Sequence, residues 1–235
     1  MSIEKLMYKS YNGEVASVAQ AILQTSANND WSADAYLSSL LDLLGTKEDL
    51  LTSGIKRNKI ASILDEKDDI RDNHLRSLFH LINGYLHYPA EDVSTAAGAV
   101  SSILNKYGLS ETIEENYAQE SSLVESLIKD LEAPETQATI AKLPGISVCI
   151  DGLKTAQADF TTTFVTYAEM KAKLGSKDSA TKIKTGVLKL INDDLVNYLR
   201  AMSKAMPEVY SDFSAATAQI IADNNDKVKK RGKKA

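Results

Sequence analysis

Residues 60–86 read IASILDEKDDIRDNHLRSLFHLINGYL. Ile60, Ile63, Leu64, Ile70, Leu75, Leu78, Phe79 and Ile82 recur at helical spacing, which lines them up along one side of a 3.6-residue helix. A helix of this size is roughly 39 Å long, and each buried Leu or Ile contributes about 1.5–3 kcal/mol. Such a stripe has to be covered by something of similar length.

The same pattern extends in both directions. Val15, Val18, Ala19, Ile22 and Leu23 predict a helix over 12–26 with Asn12 as its cap. Tyr36, Leu37, Leu40, Leu41, Leu44, Leu51 and Ile55 predict one long helix over 32–56, with Gly45 and a capping-box-like Thr46–Asp49 pattern marking where it could kink or divide. A fourth helix runs from Pro89 to Tyr107 and stops at Gly108. Ser110 is the expected cap of a fifth, ending near 132, and residues 133–147, with Pro134 and Pro144-Gly145, read as irregular. Further helices are expected over 147–174, ending at Gly175, over 178–205, and from Pro207 onward. With short connections, this predicts an all-α, up-and-down bundle of about eight helices.

Composition agrees. Gly 11 and Pro 4 in 235 residues is about half the usual share of these turn-makers, and 43% hydrophobic with 25% charged residues excludes a disordered chain. One cysteine excludes an internal disulfide framework. No secretory signal or membrane-spanning apolar run is visible, so a cytoplasmic setting without membrane contact is expected.

Pro89 with Glu91 and Pro207 with Glu208 open similar final helices 118 residues apart, each after a long amphipathic helix. This suggests two duplicated four-helix units, 1–108 and 109–225, followed by a disordered basic tail, 226–235. The charge is uneven in the same sense. Residues 1–226 hold 21 basic against 32 acidic residues, while Lys227, Lys229, Lys230, Arg231, Lys233 and Lys234 crowd the last nine positions. Those six are the candidate contacts for a polyanion or a partner.

Asn12-Gly13-Glu14, the D-x-x-R-D run of Asp68, Arg71 and Asp72 opening a long helix, and the basic tail together resemble an uncharacterised all-helical family found in Bacteroidetes, a domain of unknown function. The resemblance covers essentially the whole chain and implies helices, an intracellular bacterial setting and no established activity.

No motif carries recognisable chemistry. His74, His80 and His87 lack the i, i+4 spacing of a helical zinc site, and His74 reads as a core-edge residue. His80, Asn83 and His87 share a polar face. Residues 65–72 hold five acids, read as a charged outer face, with cation binding as the alternative and with Arg71 or Arg76 free to pair with carboxylates across the bundle. Cys149 reads as a small packing residue, and Tyr85, Tyr88, Tyr107, Tyr117, Tyr198 and Tyr210 as amphipathic packing residues near helix ends. Neither catalytic residue, cofactor nor metal is assigned. The favoured expectation is a noncatalytic helical interaction or scaffold protein that holds a protein partner or itself. The alternatives are a nucleic-acid-associated protein using the tail and a small-ligand binder or enzyme with a site between the two halves.

Overall fold

The computed structural model describes residues 3–174 and 179–233, and among them the regular structure is helical, with no strand. In chain order the helices are α1 (Asn12–Ser26), α2 (Ala35–Leu86), α3 (Glu91–Tyr107), α4 (Leu109–Ile113), α5 (Tyr117–Leu131), α6 (Pro134–Ile140) and α7 (Ile146–Leu174). There follow α8 (Ala180–Lys189), a π-helical segment (Leu190–Leu195), α9 (Val196–Ala205) and α10 (Pro207–Gly232). The all-α bundle stands, with different divisions.

The stripes expected over 32–56 and 60–86 belong to a single 52-residue helix, α2. Gly45 does not divide it, because the Thr46 hydroxyl bonds back to Asp42 O at 3.1 Å inside the helix instead of capping a new one. Leu40, Leu41, Leu44 and Leu51 are buried on either side, and this outweighs the roughly 1 kcal/mol that a helical glycine costs. Gly108 does end α3, with φ at 70°. Ser110, however, lies within the short α4, and Asn116 caps α5 by accepting from the Ala118 and Gln119 amides. Pro134 sits at the start of α6, where its missing donor is no loss, so the 133–147 stretch is partly helical. The expected stop at Gly175 lies outside the described residues.

The chain forms two compact units, Met1–Asn58 with Met170–Ala235, and Lys59–Glu169. The expected halves, 1–108 and 109–225, are therefore not the units formed: α2 and α7 each run past a boundary, and the first unit is built from both ends of the chain. Its core joins α1, the first part of α2, α8, the π segment, α9 and α10 around Leu37, Leu44, Ile191, Leu199 and Phe213. The second unit packs the rest of α2 with α3, α5, α6 and α7 around Leu75, Leu78, Val100, Leu127 and Leu153.

Among the described residues the basic tail is not a disordered extension. It continues α10 to Gly232, because Val228 is buried and Arg231 is anchored to Glu14 at 2.6 Å.

Two glycines give opposite expectations. A Cβ at Gly45 would meet only a Leu23 methyl at 4.0 Å, so Gly45→Ala should raise stability by about 0.5–1 kcal/mol. At Gly152 the same atom would lie 2.7 Å from the His74 ring, so Gly152→Ala should lower the melting temperature. Thermal denaturation of both variants checks the pair.

Candidate functional site

On α2, Leu64, Asp68, Arg71, Leu75, Leu78 and Ile82 follow intervals of four, three, four, three and four, the seam that faces the core of the second unit. Glu120, Val124, Leu127 and Leu131 form the matching seam of α5, and Ile146, Ile150, Leu153, Gln157 and Phe160 that of α7. Asp68, Arg71, Glu120 and Gln157 therefore meet inside a core that is otherwise apolar. The outer-face reading of 65–72 holds for the exposed Asp65, Glu66 and Asp69 and fails for Asp68 and Asp72, and the placing of Ile70 in the buried stripe fails as well. Ile70 is 45% exposed, while Arg71 is fully buried and Asp72 nearly so.

Arg71 Nη2 lies 2.5 Å from both Asp68 Oδ1 and Glu120 Oε2, and Nη1 donates to Ser121 Oγ at 2.9 Å and Gln157 Oε1 at 3.1 Å. The guanidinium rests on the Phe160 ring, 3.9 Å from its centroid. Gln157 Nε2 donates onward to Glu125 at 3.1 Å and Thr161 at 3.2 Å, and Arg76 pairs with Asp72 at 2.9 Å. The pairing of Arg71 and Arg76 with carboxylates thus takes two forms: Arg71 crosses to α5, and Arg76 stays on α2.

Two oxygens, Asp72 Oδ1 and Glu120 Oε1, are buried with no partner. Burial pushes the Glu120 carboxyl up; Arg71 pulls it down, and the hydrogen bond with Asp72 and the charges of Asp68 and Asp72 push it up again, to about 8. A protonated Glu120 would donate to Asp72 and so satisfy both oxygens. One oxygen from each of Asp68, Asp72 and Glu120 lies within 4.8 Å of the other two, a set of hard donors for a cation. Arg71 already occupies the Asp68 and Glu120 side of that set.

In the first unit, residues 3–10 run along the π segment, α9 and α10 as an arm held largely by its main chain. Arg200 Nε donates to Ile3 O at 3.0 Å, and Asn225 Nδ2 to Lys5 O at 2.9 Å. The Asn192 amide accepts from Leu6 N at 2.7 Å and donates to Leu6 O at 2.9 Å, as a neighbouring strand would. Met7 N reaches Asn225 Oδ1 at 3.0 Å, Arg231 Nη2 donates to Lys9 O at 3.0 Å, and Lys184 Nζ to Ser10 O at 3.1 Å. Asn224 reaches the Ser10 hydroxyl at 2.9 Å. Only Ile3, Leu6 and Ser10 of the arm bury their side chains. Asn192 lies in the π segment, where Val196 N–H bonds to Ile191 O across a widened turn.

Nearby, Asp34 accepts from Tyr198 at 2.5 Å, from Tyr210 at 2.6 Å and from the Leu37 amide at 3.0 Å. Burial opposes its charge, but these donors outweigh burial and hold the carboxyl below its ordinary value, while both phenols are pushed up. This cluster anchors the start of α2.

Lys227, Lys229, Lys230, Arg231 and Lys233 lie on the last turns of α10 and just beyond, and Lys234 lies outside the described residues. Their surroundings differ. Arg231 binds Glu14 and Lys9 O and covers the Tyr11 ring at 3.6 Å, Lys229 lies near Glu4 and Asp226, and Lys227, Lys230 and Lys233 are exposed. His74 packs against Gly152, His80 and Asn83 border a surface groove with Ser101 and Asn105, and Cys149 packs against the second core. The amides at 192, 224 and 225 and the acid at 120 are not among the sequence-predicted site residues; Glu120 alone carries a local signal, an acid in phase with the buried Val124, Leu127 and Leu131.

The model of a family of unknown function, DUF6261, matches residues 62–225, and the chain belongs to that family. Comparison with curated proteins and with solved structures finds no match. The matched stretch contains the Arg71 centre and Lys184, Asn192, Arg200, Asn224 and Asn225, while the arm and Arg231 lie outside it. No helix of the described residues is long and apolar enough to cross a membrane.

The Glu120 shift fixes the sign of a pH effect. Burial and the neighbouring acids push its carboxyl up from an ordinary 4.5 to about 8, so the folded state binds this proton more tightly than the unfolded chain does. That stability is fully present below about 4.5 and is lost as pH rises through 8. The melting temperature should therefore fall between about pH 5 and pH 9. Glu120→Gln, which donates to Asp72 without titrating, should flatten the fall. Separately, Arg231→Ala should cost about 1–3 kcal/mol in denaturant unfolding, where a disordered tail would cost nothing.

Proposed function

We propose that the protein is a helical interaction module that holds an extended polypeptide segment by its main chain, in the groove lined by Lys184, Asn192, Arg200 and Asn225. The observation that carries this reading is the pair of hydrogen bonds from one buried amide, Asn192, to both backbone groups of Leu6. Asn is a peptide group on a short stem, and it recognises an extended chain whatever the side chain there. Specificity comes from the two apolar pockets that take Ile3 and Leu6, three residues apart.

The arm is held loosely enough for this role. Burying Ile3 and Leu6 contributes about 1.5–3 kcal/mol each, and each main-chain bond about 1 kcal/mol net. Ordering the arm costs roughly 1–2 kcal/mol per residue. Gain and cost are of the same size, which places the arm among the segments that open without global unfolding.

A second reading, contact with a polyanion, rests on the exposed Lys227, Lys230 and Lys233 near the end of α10. In that reading binding weakens steeply with salt.

The groove reading is tested with a fluorescent peptide of sequence SIEKLMYKS, residues 2–10, added to full-length Leu6→Glu protein, whose own arm cannot seat. The peptide should bind with saturation, and adding Asn192→Ala should weaken it by about tenfold or more, the cost of leaving Leu6 N and O unpaired. A peptide carrying Glu at the Leu6 position should not bind. Binding that ignores both changes would refute the groove.

A further inference from the structure

We propose that the side of the Arg71 centre left free by the guanidinium binds one hard divalent cation, of the magnesium–calcium class, held by Glu120 Oε1, Asp72 Oδ1 and an Asp68 oxygen. The site lies within the second unit and does not depend on the arm groove.

Three observations carry the inference. First, the arginines engage only one oxygen of each carboxyl group: Arg71 Nη2 meets Asp68 Oδ1 and Glu120 Oε2, and Arg76 meets Asp72 Oδ2. The opposite oxygens, Glu120 Oε1 and Asp72 Oδ1, have no hydrogen-bond partner among the described residues, in side chains of residues that are 1% and 9% exposed. An enclosed carboxylate oxygen is satisfied only by a donor or a cation. Second, the charges do not balance. Asp68, Asp72 and Glu120 face the guanidiniums of Arg71 and Arg76, three acids against two bases, and Lys67 on the same helix is taken by Asp159 at 2.6 Å. One negative charge is left over in the core, where an uncompensated ion is strongly destabilising. Third, the spacing suits a single ion. One oxygen from each of the three acids lies within 4.8 Å of the other two, twice a calcium–oxygen distance of about 2.4 Å. Every donor is a carboxylate, which selects a hard cation over zinc or copper.

Asp68 also supplies the way in. Its side chain is 24% exposed while Glu120 is enclosed, so the ion enters past Asp68 and keeps water ligands on that side. Glu120 then bridges Arg71 and the ion, which gives α2 and α5 a second link. A proton on Glu120 answers the same charge, so proton and cation are rival occupants and alkaline buffer favours the ion.

The experiment uses the full chain, stripped of metal with EDTA and dialysed at pH 8.5. It is titrated with manganese(II) chloride, whose free-ion paramagnetic resonance signal falls on binding. Saturation at one manganese per chain is expected, with displacement by excess calcium or magnesium chloride. The melting temperature should rise with the logarithm of calcium or magnesium concentration above the dissociation constant, and potassium chloride at equal ionic strength should not reproduce the rise. Glu120→Gln and Asp72→Asn should each weaken manganese binding about tenfold or more. Asp69→Asn, which changes an exposed acid on the same helix, should leave it as it was. If circular dichroism shows one site variant unfolded, the other carries the comparison. Absence of saturable manganese binding at millimolar concentration overturns the site. So does binding that survives in the folded site variants, or that falls equally in Asp69→Asn.

Discussion

Arg71 carries a guanidinium with five N–H donors and no acceptor, and it is wholly enclosed. That combination constrains everything packed around it. Asp68 must come from the same helix, Glu120 and Ser121 from α5, and Gln157 and the Phe160 face from α7, all within one guanidinium's reach. Sliding α5 by one turn would bring Val124 to the level of Glu120 and leave Arg71 with Asp68 as its one carboxyl partner, the second guanidinium contact on Nη2 being lost. An apolar core would stack these helices at comparable stability but would tolerate several registers. The centre's contribution lies in selecting one.

The other unit solves a similar problem with neutral groups. Asn192, Asn224 and Asn225 are buried, and their amides pair with the main chain of the arm, the Ser10 hydroxyl and the Glu4 carboxylate. The π segment belongs to this solution. Its widened turn holds Asn192, the residue that reaches the Leu6 backbone.

Much of this was legible in the sequence. The stripes of Val15 to Leu23 and Leu37 to Leu51 appear as helices α1 and α2, Gly108 ends a helix, and Arg71 was expected to pair across the bundle. The phase around Arg71 was misread because apolarity alone was followed: Ile70 drew the stripe one residue off, while Leu64, Leu75 and Leu78 place Arg71 inward. The basic run from Lys227 looked like a tail because charge is visible and the single buried Val228 is not conspicuous. The groove was hidden for a deeper reason. Its recognition is of main chain by amides, and the partners are more than 180 residues apart, so no local pattern announces it.

The first unit draws on both ends of the chain, and this bears on how the protein is made. During synthesis, residues 59–169 emerge complete and can close their own core while the first 58 still lack α8 to α10. The early segment, with Val15, Ile22 and Leu37 bare, must wait for those late helices before its apolar face is covered. A nascent chain arrested before α10 would thus display a sticky, half-built bundle to chaperones, beside a finished one.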